Sequence, residues 1–207
     1  MSVPTHQIRA TFGGDTITVY QAYPSAIADA ALVAGRFVAP FKRERMTWIK
    51  PSFHWMMYRS GWATKPGQER VLAVEITRCG FEWALARACL SSHDPDRYAD
   101  RASWARRLRA SPVRVQWDPE RSPRLAPLPY RSLQVGLSGE AVRRYVDEWT
   151  VTLTDLTPLV RHLHTLRRAG DHAAADALTP VEHPYPLPAD VAEVVGVDGP
   201  APRCPST

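Results

Sequence analysis

The stretch Val113-Arg114-Val115-Gln116-Trp117-Asp118-Pro119 alternates apolar and polar side chains over five residues and then meets a turn-forming dipeptide. A period of two marks a strand with one face buried, and Asp-Pro predicts its end. Residues 130–137 repeat the pattern, with Leu133, Val135 and Leu137 opposite Ser132 and Gln134. Two adjacent strands thus carry Gln116 and Gln134 on their polar faces.

Working outward, residues 70–77 hold the run Val71-Leu72-Ala73-Val74, which suits a central strand buried on both sides. Residues 7–12 and 16–22 read as two strands around Gly13-Gly14-Asp15, followed by a helix over 25–34 that Gly35 ends. Met46 to Ile49 reads as a short strand. Pro51 then starts a helix with Phe53, Met56, Met57 and Ser60 on one face and Gly61 at its close. Helices are predicted over 80–90 and 95–109, after Ser138 as N-cap with Val142, Tyr145, Val146 and Trp149 inward, and from Thr157-Pro158 with Leu159, Leu163 and Leu166 inward. The sum is an α+β fold: a mixed, mostly antiparallel sheet with packed helices in one domain spanning residues 1–178. Beyond it, residues 179–207 hold seven prolines in 29 positions without apolar periodicity, which predicts an extended or disordered tail that can be removed at little cost.

The apolar fraction of 44% and charged fraction of 23% are those of a globular protein. No segment has the run of about 18 apolar residues that a membrane span needs, and the N-terminus lacks a secretory layout, so the expected compartment is cytoplasmic and no membrane partner is expected. Cys79, Cys89 and Cys204 lack metal or disulfide spacing, which reads as small buried thiols with no metal site. His162 and His164 point different ways on their helix and read as surface residues.

Charge is unevenly spread. Residues 1–139 hold 20 Lys/Arg against 11 Asp/Glu, whereas residues 140–207 hold 6 against 10. The densest part is residues 36–65, with Arg36, Lys42, Arg43, Arg45, Lys50, Arg59 and Lys65 against Glu44 alone, interleaved with Phe37, Phe41, Trp48, Phe53, Trp55, Tyr58 and Trp62. Cations that neutralise phosphate beside rings that stack on bases suit RNA, DNA or a nucleotide, and Lys42, Arg43, Arg45, Trp48, Lys50, Trp55 and Trp62 are the residues expected to meet nucleic acid. Two plainer readings stand beside this one. The 23 arginines against 3 lysines fit a GC-rich genome, and the aromatic side chains fit a core.

Past the first strand lies Asp118-Pro119-Glu120-Arg121. Glu120 there suits a catalytic carboxylate, with Arg121 or Arg131 holding a diphosphate; a surface turn with a local Glu–Arg pair is the alternative.

Several segments together resemble the family described as domain of unknown function 4291: Ile8-Arg9-Ala10, Val19-Tyr20-Gln21-Ala22-Tyr23, the run from Arg45 to Gly61-Trp62, Gln116-Trp117-Asp118-Pro119-Glu120-Arg121 and Tyr130-Arg131-Ser132. That resemblance brings no chemistry with it. A fainter likeness of layout is to nucleic-acid ADP-ribosyltransferases, which implies NAD as cofactor, Glu120 as catalytic residue, and Arg9, Tyr20, Tyr58, Arg59 and Arg131 around the cofactor. The expected function is therefore an enzyme acting on nucleic acid or a nucleotide, with ADP-ribosyl transfer as its sharpest form. A non-catalytic single-strand-binding module and a protein-interaction domain are the alternatives.

Overall fold

The computed structural model describes residues 3–198. In order they form β1 (Arg9–Ala10), β2 (Thr16–Tyr23), α1 (Ser25–Ala34), β3 (Thr47–Ile49), α2 (Phe53–Ser60), β4 (Arg70–Thr77), α3 (Arg78–Ala86), β5 (Ala88–Leu90), α4 (Arg101–Ala110), β6 (Val113–Arg121), β7 (Pro127–Leu137), α5 (Glu140–Arg144), β8 (Thr150–Asp155), α6 (Thr157–Arg168), α7 (His172–Leu178), β9 (His183–Pro184) and α8 (Ala189–Val195). A π-helical turn, Tyr145–Trp149, continues α5. The fold is α+β and its strands are mostly antiparallel.

Two sheets carry the structure, one ordered β2-β4-β8 and the other β3-β7-β6-β5, with β5 and β6 the parallel pair. Among the described residues one backbone bridge joins them, where the Tyr20 N–H donates to the Lys50 carbonyl at 2.7 Å. β4 is central, as its apolar run requires, with Val71, Leu72, Val74 and Ile76 fully buried. The larger core gathers Phe37, Phe81, Leu137, Val142, Tyr145 and Trp149. A smaller one beneath α2 and α6 gathers Tyr20, Phe53, Met56, Met57, Val160 and Leu163. Gly80 is fixed by packing: a Cβ on it would stand 2.4 Å from the Trp149 ring.

Several boundaries differ from the sequence reading. β6 does not stop at Asp118-Pro119 but runs to Arg121, because a register shift between Pro119 and Arg121 accommodates the proline. Ser138 does not cap α5. Its hydroxyl donates to the Pro112 carbonyl, and Gly139, at φ 52°, occupies the N-cap position. The helix read over 80–90 ends at Ala86, after which Ala88–Leu90 pairs with β6 as a fully buried strand. α4 begins only at Arg101, where Asp100 and Ser103 form a capping box. The thiol of Cys89 is buried as expected, but Cys79 is exposed; Cys204 lies outside the described residues.

The largest correction concerns residues 179–198, which dock on the domain. β9 pairs with β1, and Tyr185, Leu187, Val191, Ala192 and Val195 are buried. The Tyr185 hydroxyl accepts from Arg78 Nε at 3.0 Å and donates to Glu82 Oε1 at 2.8 Å, while Trp117 Nε1 donates to the Val195 carbonyl at 2.8 Å. Val191, Ala192 and Val195 share one face of α8, but that helix has only seven residues and follows a run of prolines, so its period is too short to stand out, and prolines suit an edge segment that needs few N–H donors. Residues 199–207 of the expected tail lie outside the described residues. Truncation after Thr179 is expected to lower the melting temperature by more than about 5 °C in calorimetry. A truncated protein melting within about 2 °C of the full chain would contradict the docking.

Candidate functional site: a buried lysine at the seam of two sheets

β3 pairs with the end of β7, and Trp48 lies across Gly136, where a Cβ would come within 3.0 Å of its ring. The chain then passes beneath β2, held by the Tyr20–Lys50 bond, before Ser52 caps α2 by accepting from the Trp55 N–H. Lys50 is therefore fixed in the seam, with only 6% of its surface exposed. Its amine lies 3.4 Å from the Trp48 carbonyl oxygen and 5.4 Å from the centre of the Trp55 ring. Burial, reinforced by the charge of Arg59 and only partly offset by Asp118, lowers its pKa to about 7.

A cleft of about 500 Å³ opens over this lysine, and Gln21, Arg45, Trp48, Arg59 and Gln134 share its lining. Arg45 and Arg59 are exposed and, among the described residues, form no ion pair. The amides are held on both sides. Gln21 Nε2 donates to Thr47 Oγ1 at 2.9 Å and to the Trp48 carbonyl at 3.1 Å, while its oxygen accepts from the Tyr145 hydroxyl at 2.6 Å. Gln134 donates to Asp118, which also accepts from Gln116 Nε2 at 2.9 Å. The cross-strand pair Gln116 and Gln134 thus grips the one carboxylate whose field opposes the loss of the Lys50 proton.

Around the start of α2 lies a second polar group. Glu120 is 6% exposed and accepts from Ser52 Oγ at 2.9 Å and from the Arg121 N–H at 2.7 Å. Burial raises its pKa, although those hydrogen bonds and one from Ser132 pull the other way. Glu182 accepts from the Phe53 N–H, and burial, with Glu120 nearby, raises its pKa to about 8. Both carboxyl groups therefore support the N-terminus of α2, Glu120 through the capping serine and Glu182 directly.

Of the residues singled out in the sequence, Arg45, Trp48, Lys50 and Arg59 share the cleft. The others are scattered. Arg9 reaches Gln7 Oε1 at 3.2 Å and the Glu182 carbonyl at 3.1 Å. Tyr20 is a core residue packed edge-on against Phe53. Tyr58 is exposed, with the Arg121 guanidinium 3.6 Å from its ring centre. Arg131 donates to the Trp117 carbonyl and lines a different hollow beside His6. Arg43 is held by Asp147 at 2.7 and 2.8 Å, and Lys42 borders a small hollow next to Phe41. Trp55 and Trp62 are buried, so neither offers a free face to a base, and Trp62 stacks on His164. Phe37, Phe41 and Phe53 are likewise core. The sequence presents Lys50 as one surface cation among seven; the signal of burial was its place between Ile49 and Pro51 in an apolar run.

The model of a family described as Domain of unknown function (DUF4291) matches residues 7–185. The chain belongs to this family. The match runs past residue 178, so the DUF4291 domain includes β9 and the segment leading to it. Among curated proteins no sequence matches it. The ADP-ribosyltransferase layout finds no support in the DUF4291 domain, because Arg9, Tyr20 and Glu120 do not line the cleft that Arg59 lines. No helix among the described residues is long and apolar enough to cross a membrane.

Between about pH 5 and 8 an unfolded glutamate is ionised while the folded Glu182 keeps its proton, so stability falls as pH rises through that window. Glu182→Gln retains an acceptor for the Phe53 N–H and cannot ionise. It is expected to flatten this slope and to raise the melting temperature at pH 8.5. Equal slopes in the variant and the wild type would show that Glu182 ionises normally.

Proposed function

We propose that this DUF4291 protein is an enzyme acting on a nucleotide or on nucleic acid, with the cleft over Lys50 as its reaction centre. The observation that carries this reading is a buried amine with a pKa near 7 sharing one cleft with two arginines that have no acidic partner among the described residues. Arginine forks bind phosphate oxygens in pairs, and the amide of Gln134, whose bond to Asp118 uses only one of its two hydrogens, supplies a donor and an acceptor for a base or ribose. An amine half-neutral at pH 7 accepts a proton from an attacking hydroxyl or water, or attacks a carbonyl itself, while Arg45 and Arg59 hold the phosphate charge. NAD belongs to the class of ligand that such a cleft accepts. No ADP-ribosyl step is proposed, and Glu120 is assigned the support of α2 rather than the chemistry.

One observation favours binding without catalysis. Arg121 and Lys65 gather around the exposed Tyr58, which adjoins Arg59 in α2, a cluster of three cations that suits the phosphate backbone of a single strand.

Fluorescence anisotropy with labelled nucleotides and short RNA and DNA strands at low salt tests both readings. Binding that weakens steeply with salt, and by about tenfold in Arg59→Ala, is expected. Turnover of the bound ligand is expected to rise with pH through about 7 and to fall by 100-fold or more in Lys50→Met, which removes the charge and nearly preserves the volume. Absence of binding overturns both readings; binding without turnover leaves the module.

A further inference from the structure

A second cationic hollow lies at the far end of α2 and shares no lining residue with the Lys50 cleft. It encloses about 300 Å³ between Trp62, just past α2, the β6–β7 turn with Arg124 and Leu125, and the corner from α6 to α7 with Arg167, Arg168 and His172.

Its charge is not balanced from within. Arg167 has a side chain only 9% exposed; one arm donates to Asp176 at 2.8 Å, while its Nε is buried without a hydrogen-bond partner. The Nδ1 of His172 is likewise buried and unpartnered. Of the three guanidinium groups, Arg167 is paired with Asp176, while Arg124 and Arg168 have no acidic partner among the described residues. The Asp171 carboxylate, next to His172 in the chain, caps α7 by accepting from the Ala174 N–H at 3.1 Å and keeps its charge, so three guanidinium groups exceed two carboxylates by one. Carbonyl groups at the end of α6 would repel an anion, but those of Thr165, Leu166 and Arg167 already accept from Ala169, Asp171 and Gly170.

The backbone of the walls is held in an unusual form. Trp62 and Leu125 have φ of 56° and 62°, a region that side-chain-bearing residues seldom adopt and that recurs where a site must be held in shape. Trp62 is fixed from behind by His164, with the rings stacked at 5.7 Å, and Leu125 is held by its N–H to Ser122 and its carbonyl to Arg121.

We propose that this corner is a phosphate-binding site, independent of the Lys50 cleft, that takes the dianionic group of a phosphate monoester or of inorganic phosphate. Arg124 and Arg168 are the guanidinium groups free to pair with the dianion, and the orphaned Arg167 Nε and His172 Nδ1 are the polar groups it would satisfy.

The test follows the Trp62 indole and His172 imidazole signals by nuclear magnetic resonance while inorganic phosphate is added at constant ionic strength, with chloride as the control. Saturable shifts that chloride does not reproduce are expected, with affinity reduced about tenfold in Arg168→Ala and in Arg124→Ala, and unchanged in Lys50→Met. Both arginines are exposed, so their loss should leave the fold intact. Adenosine 5′-monophosphate separates the two sources: tighter binding than inorganic phosphate assigns an organic monoester, equal binding assigns the free anion, and either supports the site. Shifts that chloride reproduces, that persist unchanged in both arginine variants, or that vanish in Lys50→Met would overturn it.

Discussion

The hydrogen bond from the Tyr20 N–H to the Lys50 carbonyl is the joint on which this molecule turns. On one side stand β2, β4 and β8; on the other β3, β7, β6 and β5. Because β3 is only three residues long and ends at Ile49, the chain has no length in which to leave the sheet gradually, and Lys50 is carried directly into the seam. Pro51 and the capping Ser52 then turn it into α2, whose first turn is held by Glu120 and Glu182. The buried amine, the cleft above it and the arginine at the end of α2 all follow from that passage.

A lysine in this place works against folding. Taking an ammonium out of water is costly, and the protein meets that cost by letting the amine lose its proton near pH 7. Between about pH 7 and 10 the unfolded chain binds this proton and the folded one does not, so Lys50 makes stability rise with pH. Glu182 acts in the opposite sense over a window that reaches up to about 8. Both groups lie at the ends of the short link Lys50-Pro51-Ser52-Phe53, so the segment beneath the cleft is poised to shift its protonation around neutrality. Local conflicts of this kind, tolerated where a less polar residue would be more stable, are the usual mark of a site kept for chemistry.

How much of this was legible follows from how each signal is written in the chain. β6 and β7 declare themselves by alternation, because Val113, Val115, Leu133, Val135 and Leu137 line one buried face, and β4 by its apolar run, because Val71 and Leu72 are buried on opposite faces. β8 does not, since Val151 points outward at 54% exposure and the strand emerges directly from a π-helical turn, so its pattern merges with the preceding helix. The docked C-terminal segment hid behind its prolines. Residues 36–65, the stretch that composition singled out, supply Arg45, Trp48, Lys50 and Arg59 to the cleft, but most of its rings form the core, and composition cannot tell the buried cation from its neighbours. Asp118 was legible only as the end of a strand, whereas pairing brings Gln116 and Gln134 onto it from two strands.

The buried amine can be measured directly, because the chain has only three lysines, Lys42, Lys50 and Lys65. With lysine labelled at the ε-carbon, the pH dependence of the three side-chain signals gives each titration separately, and Lys50→Met identifies the one that belongs to the seam. The account requires the Lys50 signal to titrate with a midpoint of about 7. A midpoint near the ordinary lysine value of about 10.4 would mean a hydrated, permanently charged amine, and would contradict the cleft as a site of proton transfer or nucleophilic attack.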